Sequence, residues 1–143
     1  DNFSQDAGTL IGTARFPLNQ AGMAGSNKGI ISLQSSALSL LYVHTSVGRL
    51  TTYDGTTSGN SALAYVADQE VTIQVTWDSS ISKFQLWATS DVGTATSGLV
   101  AYDGAFTIGT VINYLYAMGV PVNLLDWVLT KSAVFTDKTG KDS

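Results

Sequence analysis

Cysteine is absent from this 143-residue sequence, which removes disulfides, zinc–thiolate sites and thiol nucleophiles together. Charge is scarce as well: 13% of residues are Asp, Glu, Lys or Arg, against 44% hydrophobic. That balance excludes a disordered chain or a coiled coil. The seven basic residues are scattered and the formal net charge is −4, so the chain has no basic stripe with which to hold a phosphate backbone. Nucleic acid is therefore not an expected partner. No apolar run reaches the ~20 residues of a membrane helix. The longest candidate, Val111 to Leu125, is broken by Asn113, Gly119, Pro121 and Asn123.

In place of charge the chain uses Thr, Ser, Gly and Asn, the vocabulary of strands and tight turns. The clearest pattern runs from Gln69 to Ala88. Val71, Ile73, Val75 and Trp77 alternate with Thr72, Gln74 and Thr76, as in a strand with one face on a core. After Asp78-Ser79-Ser80 the alternation resumes, with Phe84, Leu86 and Ala88 on one parity and Lys83, Gln85 and Trp87 on the other. The two runs predict a β-hairpin. Shorter strand-like runs are Gly29–Gln34, Leu38–His44, Arg49–Tyr53, Ala62–Val66, Leu99–Tyr102, Ala105–Ile108, Val111–Tyr116, Leu124–Leu129 and Ala133–Phe135. Asn19–Lys28 and Ser90–Gly98 read as loops. Many short strands spaced by turn signals predict an all-β fold, an antiparallel sandwich or barrel in a single domain over residues 1–136. The charged tail from Asp137 to Ser143 is expected to fray or to act as a linker.

The motifs Thr76-Trp77-Asp78, Phe84–Trp87 and Leu125-Asp126-Trp127-Val128-Leu129, with the opening Asp1-Asn2-Phe3 and Gly8-Thr9-Leu10, resemble laminin-G-like and concanavalin-A-like jelly-roll domains. The resemblance implies a two-sheet antiparallel β-sandwich of the lectin/glucanase type. It also implies a setting in phage structural proteins or secreted polysaccharide-active proteins, hence an extracellular or virion-surface location. The chain departs from that pattern after Trp87, where Ala88-Thr89-Ser90-Asp91 replaces the usual Asp-Gly turn.

Glycosidases of such a fold use paired carboxylates about 5 Å apart on one strand face. Glu70 is the sole glutamate and has no such companion. His44 is the sole histidine, so a Ser-His-Asp triad would have to recruit it; it continues the parity of Leu38, Leu40 and Tyr42, which favours a structural role. The expectation is a non-catalytic module. A glycoside-active enzyme using an Asp pair is the weakest of the alternatives.

Two Tyr-Asp-Gly turns, Tyr53-Asp54-Gly55 and Tyr102-Asp103-Gly104, are the candidates for calcium, with Asp54, Asn60 and Asp103 as oxygen ligands. The competing explanation is that Asp-Gly is simply a favoured tight-turn pair. Sugar binding is the sharper expectation. An indole stacks on the C–H face of a sugar while polar side chains take its hydroxyls. Trp87 shares its parity with Lys83 and Gln85, opposite the core face, and Thr72, Gln74 and Thr76 flank it on the partner strand; Arg49 and Tyr53 join them if an earlier strand lies alongside. The predicted glycan-binding residues are Trp87, Gln85, Gln74, Thr72, Lys83, Tyr53 and Arg49. Equally weighted is that Trp87 packs under the Gly98–Ala105 loop or into a subunit contact. The alternative function is accordingly an assembly module, such as a phage capsid-decoration or tail-fibre domain, binding neighbouring subunits.

Overall fold

The structure, a computed structural model, describes residues 6–23, 28–32, 41–43, 49–53, 57–61, 63–102, 114–115 and 123–139. The described residues contain no α-helix, only a single 3-10 turn at Ala21–Met23, and so no helix long and apolar enough to cross a membrane. The strands are β1 (Ala7–Arg15), β2 (Lys28–Ser32), β3 (Leu41–Val43), β4 (Leu50–Tyr53), β5 (Ser58–Asn60), β6 (Glu70–Asp78), β7 (Lys83–Ser90), β8 (Gly93–Thr96), β9 (Val100–Ala101), β10 (Tyr114–Leu115) and β11 (Asn123–Thr130). All pair antiparallel, in two sheets. Sheet A has the order β11-β1-β6-β7-β8, with β9 also on β7; sheet B has the order β10-β2-β3-β4-β5. The described residues are therefore all-β and antiparallel.

The central hairpin forms where the alternation places it. β6 and β7 run in register from Thr72↔Thr89 to Asp78↔Lys83, and the turn is closed by Asp78 Oδ1, which accepts from Ser80 N–H at 2.9 Å. Val71, Ile73, Val75, Trp77, Phe84 and Leu86 are all fully buried and form the sheet A side of the core. Each such side chain contributes about 1.5–3 kcal/mol through its removal from water. Leu50 of β4 belongs to the same cluster, so residues of both sheets share it. The two sheets meet closely at Gly59 of β5, where a Cβ would lie 2.8 Å from Phe84 Cε2.

β1 sits between β6 and β11 in the middle of sheet A, although its sequence carries few apolar anchors. Its core-facing positions are Gly8, Leu10, Gly12 and Ala14, and the two glycines make room for indoles: a Cβ at Gly8 would strike Trp77, and one at Gly12 would strike Trp127. Trp127 itself is half-buried against the core.

Three expectations are corrected. Residues 63–66 form no strand, although Leu63 and Tyr65 do alternate into the core; Gln20 N–H donates to Tyr65 O and Asp68 N–H to Phe16 O, so this segment is tied to the chain after β1 rather than to a sheet. The Ser90–Gly98 loop contains β8, a Gly-Thr-Ala-Thr edge strand with too little apolar content to show in the sequence. Ala133–Phe135 is not a strand but part of an extended segment crossing sheet A, and Asp137 to Thr139, expected to fray, continue it. Ala105–Ile108 and His44 lie outside the described residues.

Candidate functional site

The face of sheet A opposite the core carries Thr9 from β1, Gln74 and Thr76 from β6, and Trp87 and Thr89 from β7. Gln74 pairs across strands with Trp87, and Thr76 with Gln85, so the structure does bring Thr72, Gln74, Lys83, Gln85 and Trp87 to one face. Parity thus holds, with Phe84 inward and Trp87 outward. The expectation that the Trp87 indole stands open is nevertheless corrected: it is 6% exposed, and Gln74 and Thr76 are fully buried.

For Gln74 and Thr76 the reason is a second layer. Residues 131–139 lie across this face as a strap held by its main chain. Ser132 O accepts from Thr9 Oγ1 at 2.8 Å, and Val134 N–H donates back to the same oxygen at 3.0 Å. Val134 O accepts from Thr76 Oγ1 at 2.9 Å and from Gln74 Nε2 at 3.0 Å. Gln74 Nε2 also donates to Thr136 O at 3.1 Å, while its Oε1 accepts from Lys138 N–H at 2.8 Å. A buried carboxamide must find partners for its donors and its acceptor, and the strap supplies them. Strand periodicity reports which face a side chain takes, not whether a later segment covers that face.

Three of the remaining predicted residues lie in or beside sheet B. Arg49 and Tyr53 belong to the β4 region of sheet B, away from the sheet that carries Trp87. Asn60, proposed as a calcium ligand, accepts instead from Thr51 Oγ1 at 2.8 Å. Asp54 and Asp103 lie outside the described residues. Among the described residues no group of three His, Cys, Asp or Glu side chains is arranged to hold a metal.

Beside Thr139 of the strap, sheet A opens into a polar cleft of about 280 Å³. β1 contributes Arg15, the start of β6 Glu70 and Thr72, the end of β7 Thr89 and Ser90; Asp91, the Asp68–Gln69 turn and Thr139 of the strap complete the wall. The cross-strand pairs Arg15↔Glu70 and Thr72↔Thr89 fix this arrangement. Arg15 Nη2 lies 3.3 Å from Glu70 Oε1, with both side chains about half exposed. Among the described residues the lining holds one cation against three carboxylates, those of Asp68, Glu70 and Asp91, together with several hydroxyls. Gln69 Oε1 is enclosed and has no hydrogen-bond partner among the described residues. The volume lies just under the ~300–1,000 Å³ range usual for small-molecule sites. Of the predicted binding and metal residues only Thr72 lines this cleft; Arg15 and Asp91 carried no site signal because their neighbours come from distant strands.

No family model, curated protein or solved structure matches the chain.

Proposed function

We propose that the chain is a non-catalytic recognition module whose ligand site is this cleft, and that the ligand is a polyhydroxylated molecule, a sugar unit of a glycan. The observation that carries the reading is the lining itself. Carboxylates accept from sugar hydroxyls, and threonine and serine hydroxyls both donate and accept. The same lining disfavours an anionic ligand, since three carboxylates face one guanidinium. A two-sheet sandwich of jelly-roll type is part of the same proposal; what favours a sandwich is that the two antiparallel sheets share one core.

The test is titration of the isotopically labelled protein with a panel of neutral monosaccharides and short oligosaccharides. Amide shifts at Thr72, Ser90 and Asp91, abolished by Asp91→Asn, are expected. Saturable shifts elsewhere, or none, would remove the reading.

An assembly role is the second reading, and one observation favours it. Leu18 and Val66, 49% and 40% exposed, are brought near each other by the bonds that tie the 16–20 and 65–68 segments. Light scattering over a concentration series decides it: a stable oligomer that Leu18→Ser dissolves would support assembly, and a monomer throughout would discard it.

A further inference from the structure

We propose that Gln74 is a positioning residue for the cleft: by holding the strap it places Thr139 in the cleft wall, so strap docking and ligand binding form one coupled equilibrium. The inference rests on the reading of the cleft as the ligand site.

Gln74 does not line the cleft, yet it makes more contacts with the strap than any other single side chain described above, bonding Val134, Thr136 and Lys138. From Lys138 the strap continues one residue to Thr139, which is 3% exposed. Thr139 N–H donates to Asp137 Oδ1 at 2.8 Å, which closes the turn that carries the Thr139 hydroxyl to Thr89. Thr89 and Thr139 both line the cleft. Only a docked strap puts Thr139 there; a released strap leaves the cleft without one wall and Thr89 without that partner.

The strap is also the layer that opens most readily. Its grip on the sheet runs mainly through side-chain to main-chain hydrogen bonds. Its apolar residues Ala133, Val134 and Phe135 are only half-buried, and Ser132, Thr136, Asp137 and Lys138 are exposed. On release Gln74, Thr9 and Thr76 exchange strap partners for water and, among the described residues, Trp87 is the one buried apolar side chain on that face, whereas opening β6 would expose Val71, Ile73, Val75 and Trp77 together. A ligand that contacts Thr139 binds the docked state better, and by linkage it must then favour docking in the same proportion.

The experiment uses the full chain and amide hydrogen exchange at Val134, Lys138 and Thr139, with Val75 and Leu86 as reporters of the intact core. Gln74→Ala, and independently Lys138→Pro, which deletes the N–H that Gln74 accepts, are expected to speed exchange in the strap while Val75 and Leu86 stay protected. Thr89→Val, at the cleft end, is expected to speed exchange at Lys138 as well as at Thr139, without any ligand. Glucose, galactose and N-acetylglucosamine are the probes for the ligand arm. Whichever binds should slow strap exchange in the wild type, and its affinity should fall by about tenfold in both strap variants, a factor ordinary for coupled sites. Unchanged exchange at Lys138 in Thr89→Val overturns the proposal, as does an unchanged sugar affinity in variants whose straps have opened. If none of the sugars binds, the sugar reading fails alone, because the Thr89→Val arm decides the link between strap and cleft without a ligand.

Discussion

Gly12 lies under the indole of Trp127, so closely that a methyl group at position 12 would occupy the ring's own volume. Gly8, two pleat repeats earlier in β1 with Leu10 between them, stands in the same relation to Trp77. The two sites differ in what can yield. Trp127 is only half-buried, whereas Trp77 is fully buried and the Gly8 site is also backed by Thr130 O, 2.8 Å from an added Cβ. Overpacking of this kind costs about 1–3 kcal/mol. Gly12→Ala is expected at the lower end of that range and Gly8→Ala at or above its upper end. Urea unfolding of the two variants checks the order, and equal losses would contradict this account of the strand.

These glycines also explain how much of the fold the sequence discloses. The β6–β7 hairpin is legible because every core position between Val71 and Leu86 is filled by a large apolar side chain. β1, a central strand, is nearly mute, because its core positions at Gly8 and Gly12 are emptied to admit indoles supplied from β6 and β11. β8 is mute for the opposite reason: at the sheet margin it needs no apolar face. The site follows the same logic. Alternation places Trp87, Gln74 and Thr72 together correctly, but local pattern carries no trace of a segment some sixty residues later, Val134 to Lys138, that covers Gln74. Nor does it show that Arg15, Thr89 and Thr139 meet.

The polar face under the strap contains a redundancy with a measurable consequence. Val134 O accepts from both Thr76 Oγ1 and Gln74 Nε2, so either donor alone keeps that carbonyl satisfied. Thr76→Val, nearly isosteric, removes a hydroxyl that also meets Gln74 Nε2 and Thr9 Oγ1, but each of those keeps a strap partner, so the expected cost is about 1 kcal/mol, an ordinary net hydrogen bond. Gln74→Ala strips partners from Thr136 O and Lys138 N–H as well, and is expected to cost about twice as much or more. Denaturant midpoints for the two variants give the comparison directly. A larger loss in Thr76→Val would show that the threonine, not the carboxamide, secures the strap.

Tyr65 gives the stability a high-pH limit. Its side chain is buried beside Phe16, ring centroids 4.5 Å apart, and burial raises the phenol well above its ordinary value near 10, because the phenolate would be poorly solvated there. The folded state therefore holds this proton more tightly than the unfolded chain does. The stabilisation is fully present below the unfolded value and is lost as pH rises above it, at up to about 1.4 kcal/mol per pH unit from this group. Wild-type protein is expected to lose stability above about pH 10 more steeply than Tyr65→Phe, compared by urea unfolding across the alkaline range. Parallel curves would mean that the phenol ionises without penalty, and that Tyr65 is not sealed in the folded state.

The cover over Trp87 can be read optically. The three tryptophans differ in access: Trp77 is fully enclosed, Trp87 is enclosed on the strap side of sheet A, and Trp127 is half-buried. Acrylamide should therefore quench mainly the Trp127 component in the wild type, and little emission should remain quenchable in Trp127→Phe. Adding Lys138→Pro to Trp127→Phe releases the strap without touching either remaining indole, and should make one further component accessible, accompanied by a red shift as Trp87 meets water. Trp77 faces the core from the other side of the same sheet and should stay dark to the quencher, so Trp87→Phe in that background should remove the new component. If Trp127→Phe is freely quenched with its strap intact, the Trp87 face is open in solution and the strap does not shield it.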